Sequence, residues 1–361
     1  MSAPFLSVFD AHVDSLQRQL DLGHDLGVRG PGHLDCERGL DGGLGAVVFV
    51  SWVDPSFIGG PDGGAYGRTQ ALLAEFHRLA ENHPERMRIA RNGGELAAAN
   101  RAGCVAGIAG IEGGHSIEED LGKLEWFFEQ GVRVMTLVWN NHLSWIRSCQ
   151  DGAEANVPAG LSEFGVQVVK RMNELGMVID LSHAGERSFY DTLEASSQPV
   201  IASHSACRAL RDHPRNLTDN QLRDLAQAGG VVGIVFCTPF LSEEAQLAER
   251  ALRQTDGYQG LVDENESALF VAQSDYLQQH APPLEASVVL DHIVHAVEIA
   301  GIEHVGLGSD FDGIQRTPRG LEDASCYGTI AAGLKERGFE DRDVLAILGG
   351  NMRRVFEEVT R

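Results

Sequence analysis

The chain has 361 residues, a length that fits two or three small domains or one large α/β barrel. Apolar residues make up 43%, ample for a large core, and 52 acids against 29 Lys and Arg leave a net charge of −23. A field of that sign repels nucleic acid and anionic membrane, no basic cluster offsets it, and no apolar stretch reaches the ~18 residues of a membrane span, so neither is an expected partner.

From the N-terminus onward, short apolar runs alternate with helical patterns, which predicts a parallel sheet with crossover helices. Met1–Phe9 has neither a basic nor a long apolar segment of the signal-peptide kind, and cleavage there would endanger His12. A first strand is expected near residues 6–12, ending in Asp10-Ala-His12-Val-Asp14. Asp21–Leu44, rich in glycine and holding two histidines, reads as an irregular loop over the site. Strands near 45–52, 104–111 and 133–139 follow, with a helix over Arg68–Asn82 between the first two. Leu161–Leu175 carries apolar residues at helical spacing and stops at Gly176. Strands near 176–182 and 199–203 run into Leu181-Ser-His183 and Ala202-Ser-His204. After a strand near 230–236, the polar Thr238–His280, helical over Ser242–Asp256, reads as a lid or an oligomer contact rather than a second domain. A helix over Pro283–Ala300 leads to the eighth strand near 304–309, and an amphipathic helix, about Asp341–Val359, is expected to pack on the barrel exterior.

Eight strands with intervening helices is the count of a (β/α)8 TIM-type barrel: one catalytic domain over 1–361, with excursions near 21–44 and 238–280. The candidate ligands argue the same way. His12, Glu112, His183, His204 and Asp310 each fall at or just past the end of a different expected strand, where such barrels gather their chemistry. A doubly wound open sheet is the alternative, but it would spread the first and last strands apart.

Residues two apart on a strand share a face, so His12 and Asp14 can grip one ion together. Glu112 ends the apolar run Cys104-Val-Ala-Gly-Ile-Ala-Gly-Ile, where a carboxylate is costly unless paired or metal-bound, and its two oxygens can bridge two ions. Three imidazoles and two carboxylates suit zinc or a neighbouring divalent metal. Asp10 reads either as a residue orienting a ligand or as a strand-edge acid, and His115 is left outside the metal shell. Asp310, in Gly306-Leu-Gly-Ser-Asp310-Phe-Asp312-Gly, is expected to stay ionised beside the cations and take a proton from a metal-bound water. Arg215 is placed to hold a carboxylate or to pair with one of the many acids, with Arg208 and Arg211 as competitors. The six cysteines are scattered without a C-x-x-C pair, which suits a reducing compartment; the expectation is a cytoplasmic protein.

Taken together, Asp10-Ala-His12-Val-Asp14, Gly110-Ile-Glu-Gly-Gly-His-Ser-Ile117, Ile179-Asp-Leu-Ser-His183, Ser203-His-Ser205, His213-Pro-Arg-Asn-Leu217 and Gly308-Ser-Asp-Phe-Asp-Gly313 resemble the membrane (renal) dipeptidase family of amidohydrolase-like barrels. The resemblance covers nearly the whole chain. It implies one zinc on His12, Asp14 and Glu112, a second on Glu112, His183 and His204, and a bridging water or hydroxide between ions ~3.5–4 Å apart. It further implies that Arg215 holds the substrate's terminal carboxylate, that Asp310 acts beside the metals, that dipeptides with a C-terminal D-residue are accepted, and that homodimers form. One stretch departs from the family: Leu-Thr-His-Asn becomes Leu137-Val138-Trp139-Asn140, so Trp139 stands where the family has a substrate-contacting histidine. Trp139 and Asn140 are therefore carried as substrate-binding candidates, with Asn141 and His142 as substitutes for the lost imidazole. The expected activity is zinc-dependent dipeptide hydrolysis. Another binuclear barrel hydrolase, a lactonase or deaminase, is the nearest alternative, and a non-catalytic metal-binding protein the more distant one.

Overall fold

A computed structural model describes residues 7–61, 63–150, 152 and 157–361; Met1–Leu6 of the N-terminal reading lie outside it. The strands are β1 (Val8–Val13), β2 (Leu44–Trp52), β3 (Met87–Ile89), β4 (Val105–Glu112), β5 (Val132–Thr136), β6 (Val178–Asp180), β7 (Ile201–Ser205), β8 (Val231–Ile234) and β9 (Val305–Leu307). All pair in parallel. β1 pairs with both β2 and β9, and β2 pairs with β4, so eight strands close a ring and the open-sheet alternative falls. Each of the eight expected strands is found, most of them shorter than the apolar run that announced it.

The ninth strand, β3, was not expected. It pairs with Val105–Gly107 on the same edge of β4 that β5 occupies from Ala109 onward. Three residues are too few for an alternation to show, and only the ladder reveals them.

Local signals place the helices well. Ser162 caps the helix Glu163–Leu175 through its hydroxyl, and Gly176 ends it at a left-handed φ of 76°. Thr218 and Gln221 form a reciprocal capping box at the start of Asp219–Gln227. The Asp21–Leu44 stretch is less irregular than expected: Cys36–Asp41 is helical, capped by the Asp35 carboxylate on the Arg38 N–H. The 238–280 insertion is mostly helical, ending in Glu266–His280, and it lies over the C-terminal ends of the strands. No helix among the described residues is long and apolar enough to cross a membrane.

The C-terminal segment corrects the sequence expectation. Asp341–Leu345 passes through a turn of π-helix at Ala346–Gly350 into Asn351–Val359, and this last helix does not lie on the barrel exterior. It crosses the N-terminal end of the ring, touching β1, β6, β8 and β9. Met352, Val355, Phe356 and Val359 pack onto Phe9, Val48, Ile108, Val178 and Val231, one apolar layer drawn from most of the strands. Asn351 donates to the Ile302 and Val305 carbonyls, and Arg354 to that of Gly229, fixing the helix to the roots of β8 and β9. An amphipathic stripe shows that a helix buries one face; it does not show against which surface. Truncating Phe356, which is 2% exposed, should leave a cavity in this floor and cost ~3–5 kcal/mol. Urea unfolding of Phe356→Ala would measure it, and an unchanged midpoint would remove the floor from the list of stabilising elements.

Candidate active site

At the opposite end of the ring the strands deliver polar residues to one point. His12 and Glu112 belong to β1 and β4 and His204 to β7, while Asp14, His183 and Asp310 follow within three residues of β1, β6 and β9. Their ligating atoms form three groups, His12–Asp14–Glu112, Glu112–His183–His204 and His12–His204–Asp310, each with its atoms within 4.8 Å of one another. Glu112 is central. One carboxylate oxygen lies 3.4 Å from His12 Nε2; the other lies 2.8 Å from His183 Nε2 and 3.4 Å from His204 Nε2.

What holds the imidazoles was only partly visible in the sequence. Ser203 donates its hydroxyl to Asp180 at 2.6 Å, leaving its lone pairs for the ring N–H groups of His204 (Nδ1 at 2.8 Å) and His12 (Nδ1 at 3.3 Å). Asp180 is fully buried and also accepts from the Thr136 hydroxyl at 2.5 Å and from the Ser182 and Ser203 backbone N–H groups. Asn140 Oδ1 lies 3.0 Å from His183 Nδ1, and an amide oxygen only accepts, so this nitrogen carries the hydrogen. Asn140 therefore orients a candidate ligand as well as lining the cavity. Asp180 carried a signal of the Glu112 kind, a carboxylate inside the apolar run Met177-Val-Ile-Asp-Leu; Ser203 carried none.

With the Nδ1 protons so engaged, the three Nε2 atoms are left to offer lone pairs to the same small space. His183 and His204 Nε2 stand 3.1 Å apart, and His12 Nε2 and Asp14 Oδ1 are buried without a hydrogen-bond partner. Facing acceptors repel unless a cation lies between them. The donor set, imidazole nitrogen and carboxylate oxygen, fits zinc. Burial and the nearby Arg215 push His183 down to about 4, and burial with His12 pushes His204 well below the usual value, so both are neutral ligands. Burial opposes charge on His12, but Glu112 and Asp14 outweigh it and hold that imidazole well above its ordinary value. In the metal-free protein a proton on His12 thus takes the cation's place. Burial and the Asp14 charge raise Asp310 well above the carboxylate range, whereas His12 overcomes burial to hold Glu112 well below it.

The backbone is strained where it serves this cluster. His183 (φ 69°) and Asp310 (φ 63°) are two of the few non-glycine residues in the left-handed region. Gly313 has no room for a side chain: a Cβ would fall 2.1 Å from Asp14 and 2.5 Å from Asp310. Of its two readings, Asp10 takes the one in which it orients a ligand. The register of β1 against β2 shifts between Asp10 and Val13, and the Asp10 carboxylate accepts from the Tyr327 hydroxyl and from the N–H groups of Ser309 and His12. It braces the backbone of a candidate ligand rather than its ring. Asp312 is a structural acid, held by Arg18 (2.7 Å), Ser15 and the His33 N–H. His115 stays outside the cluster, its Nε2 on the Val53 carbonyl at 2.8 Å.

Above the cluster opens a cavity of about 820 Å³. Five arginines face it, and four are already ion-paired: Arg18 with Asp312, Arg68 with Asp21, and both Arg253 and Arg316 with Glu249. Arg215 alone has no carboxylate partner among the described residues. It is 3% exposed, donates to the His204 carbonyl at 3.1 Å, lies over the Phe240 ring, and keeps its Nε without a partner. Its competitors do not face the cavity: Arg208 bonds the His213 and Pro214 carbonyls, and Arg211 reaches Asp212 and Gln246. Trp139 lines the cavity, but His142 does not; His142 Nδ1 accepts from Ser148 instead, so no imidazole replaces the one lost at position 139.

Comparison with known proteins agrees with this geometry. The profile described as Membrane dipeptidase (Peptidase family M19) matches residues 5–361. Dipeptidase verJ of Clonostachys rogersoniana is 30% identical over 334 residues, 91% of this chain and 76% of that protein. Among solved structures, the probable dipeptidase PvdM from Pseudomonas aeruginosa superposes with a TM-score of 0.83 at 25% identity, covering 98% of this chain and 95% of the other. A metallo peptidase from Rhodobacter sphaeroides, liganded with a phosphinate mimic of the dipeptide L-Ala-D-Ala, gives 0.79 at 26% identity, covering 98% and 99%.

Two outcomes follow from the way the imidazoles are held. Ser203→Ala should weaken zinc binding by ~10–100-fold, read by competition with a chromogenic chelator, while the fold stays intact. Because His12 keeps its proton above the usual imidazole range, metal uptake must displace that proton: affinity should fall as pH drops, with proton release visible as a buffer-dependent heat in titration calorimetry. Zinc binding with no buffer dependence would place the proton elsewhere.

Proposed function

The chain belongs to the membrane dipeptidase family of metallopeptidases, a dipeptidase by descent, and from that premise we propose how its own residues perform the reaction. Zinc is the family's metal. Here His12, Asp14 and Glu112 would hold one ion, and Glu112, His183 and His204 a second. Zinc in those positions supplies a polarised scissile carbonyl and a water acidified towards neutrality.

The observation that carries the substrate assignment is the unpaired Arg215. A buried guanidinium without a counter-charge is costly, and the cavity supplies a carboxylate to every other arginine that lines it. A substrate with a free C-terminal carboxylate completes the set, and the fork geometry of arginine suits bidentate capture. The anchor sits close to the cluster, its NH2 group on the His204 carbonyl, so only a short stretch of substrate fits between carboxylate and scissile bond. That is the reach of a dipeptide. Asp310 faces the same space as His12 and His204, which places it to accept a proton from the attacking water and pass it to the leaving amine. Asn140, Ser203 and Asp180 keep the rings aimed. The L-Ala-D-Ala mimic on the Rhodobacter relative supports tolerance of a C-terminal D-residue. Cys36, Cys104, Cys207 and Cys237, buried thiols outside any disulfide, support a reducing compartment such as the cytoplasm.

Amine release from L,L and L,D dipeptides by zinc-loaded protein, with a chelated control, is the first check, and cleavage is expected in both series. Arg215→Ala should raise KM for dipeptides by about 10–150-fold, the worth of hydrogen bonds to a charged group, and leave C-terminal amides nearly unaffected. Equal turnover of acids and amides by the wild-type protein would refute the anchor and favour a lactonase or deaminase, which needs none. Asp310→Asn should lower kcat by ~10²–10⁴-fold with metal content unchanged.

A further inference from the structure

The cavity has two chemically distinct sides, set by the order of strands in the ring. Arg215 follows β7, whereas Trp52 ends β2, four strands away across the ring, and Trp139 follows β5, two strands away, and leans towards Trp52. A dipeptide whose carboxylate lies on Arg215 and whose scissile bond lies at the cluster therefore directs its N-terminal residue towards the tryptophans. This argument rests on the dipeptidase reading above.

That far side is largely aromatic and without a free cation. Trp52 and Trp139 meet edge to face with centroids 5.1 Å apart, and Trp139 lies 6.2 Å from the His183 ring. The Trp52 indole N–H is buried without a hydrogen-bond partner. Phe57, from the turn after β2, lies under the Arg68 guanidinium, and the insertion adds Leu269 and Phe270. The insertion is tied down on this side: Asn265 donates to the Asp21 carbonyl and Ser267 to its carboxylate, which also holds Arg68 at 2.7 Å. Arg68 is thereby neutralised, and Asp54 caps the Ser56 N–H. Asp54 and Glu266 are the carboxylates left on this side, and no free cation is left to greet an acidic side chain.

We infer that Trp139, in edge contact with Trp52, is a specificity-determining residue that makes this enzyme select dipeptides with a large apolar or aromatic N-terminal side chain. An indole at position 139 replaces a hydrated, titratable ring with apolar area that gains only when a substrate side chain covers it. Small N-terminal residues leave that surface wet and gain nothing from it.

The test is a series of dipeptides with one C-terminal residue and N-terminal Gly, Ala, Leu, Phe or Trp, hydrolysed by the full-length zinc-loaded protein. For the wild type, kcat/KM should rise by at least roughly tenfold from Gly to Phe, mostly through KM. Trp139→Ala should flatten that slope by lowering the Phe and Trp values far more than the Gly value; Trp139→Phe should keep most of it. A flat or reversed wild-type slope overturns the inference and leaves the dipeptidase reading standing. So does an equal loss on every substrate in Trp139→Ala that Trp139→Phe does not restore. Cleavage of no member, with zinc bound, overturns both.

Discussion

Glu112 lies where three imidazole nitrogens and two further carboxylates meet at the base of the cavity, and the unbalanced interactions there govern much of what surrounds it. The nitrogens are aimed at one another by hydrogen bonds made on their far sides, so the arrangement is repulsive until a cation enters, and a proton on His12 is a partial substitute. Holding such a cluster ready demands support elsewhere. It explains a carboxylate buried below the rings at Asp180, two left-handed backbone positions at His183 and Asp310, and a glycine at 313 where any side chain would strike two acids. Each would be a defect in an ordinary barrel. Together they are the cost of a preformed metal pocket, offset by the binding of the ion itself.

Much of this could be read from residues alone because the chemistry is periodic. Closed parallel sheets leave near-continuous apolar runs, and a carboxylate or imidazole ending such a run has few explanations. Glu112, His183, His204 and Asp310 were legible for that reason. What escaped reading has physical reasons too. Strand β3 is too short to alternate; Ser203 is a small polar residue of a kind found everywhere; the partners of Asp10, Ser309 and Tyr327, come from some 300 residues away and only the fold brings them to it. The destination of the C-terminal helix was a matter of tertiary geometry, beyond what any stripe of apolar residues encodes. Asn140 was noticed for its place in a motif, and only the contact with His183 showed that it orients a ring.

The cavity shows how pairing makes a recognition site as effectively as charge does. Arginines are abundant around it, yet Glu249, Asp21 and Asp312 neutralise all but one of them. Removing competitors sharpens the remaining guanidinium as an address for a single anionic group, and it leaves the opposite wall without a free cation. The same ion pairs do mechanical work, since Arg316 and Arg253 grip Glu249 in the insertion while Asp21 holds its far end. Neutralisation and fastening are one set of contacts.

The helix that floors the barrel follows every strand of the ring in chain order, so it leaves the ribosome after all of them. Until it arrives, strands translated hundreds of residues earlier have a ring of apolar side chains with nothing beneath them, Phe9 and Val48 among them. The nascent molecule is a tube open at its base, exposed to unwanted partners for as long as synthesis of the remainder takes. Sealing of the barrel's base is thereby tied to translation of Asn351–Val359, and a ribosome stalled shortly before that helix would release a sticky, unsealed barrel for the cell's chaperones and proteases to handle.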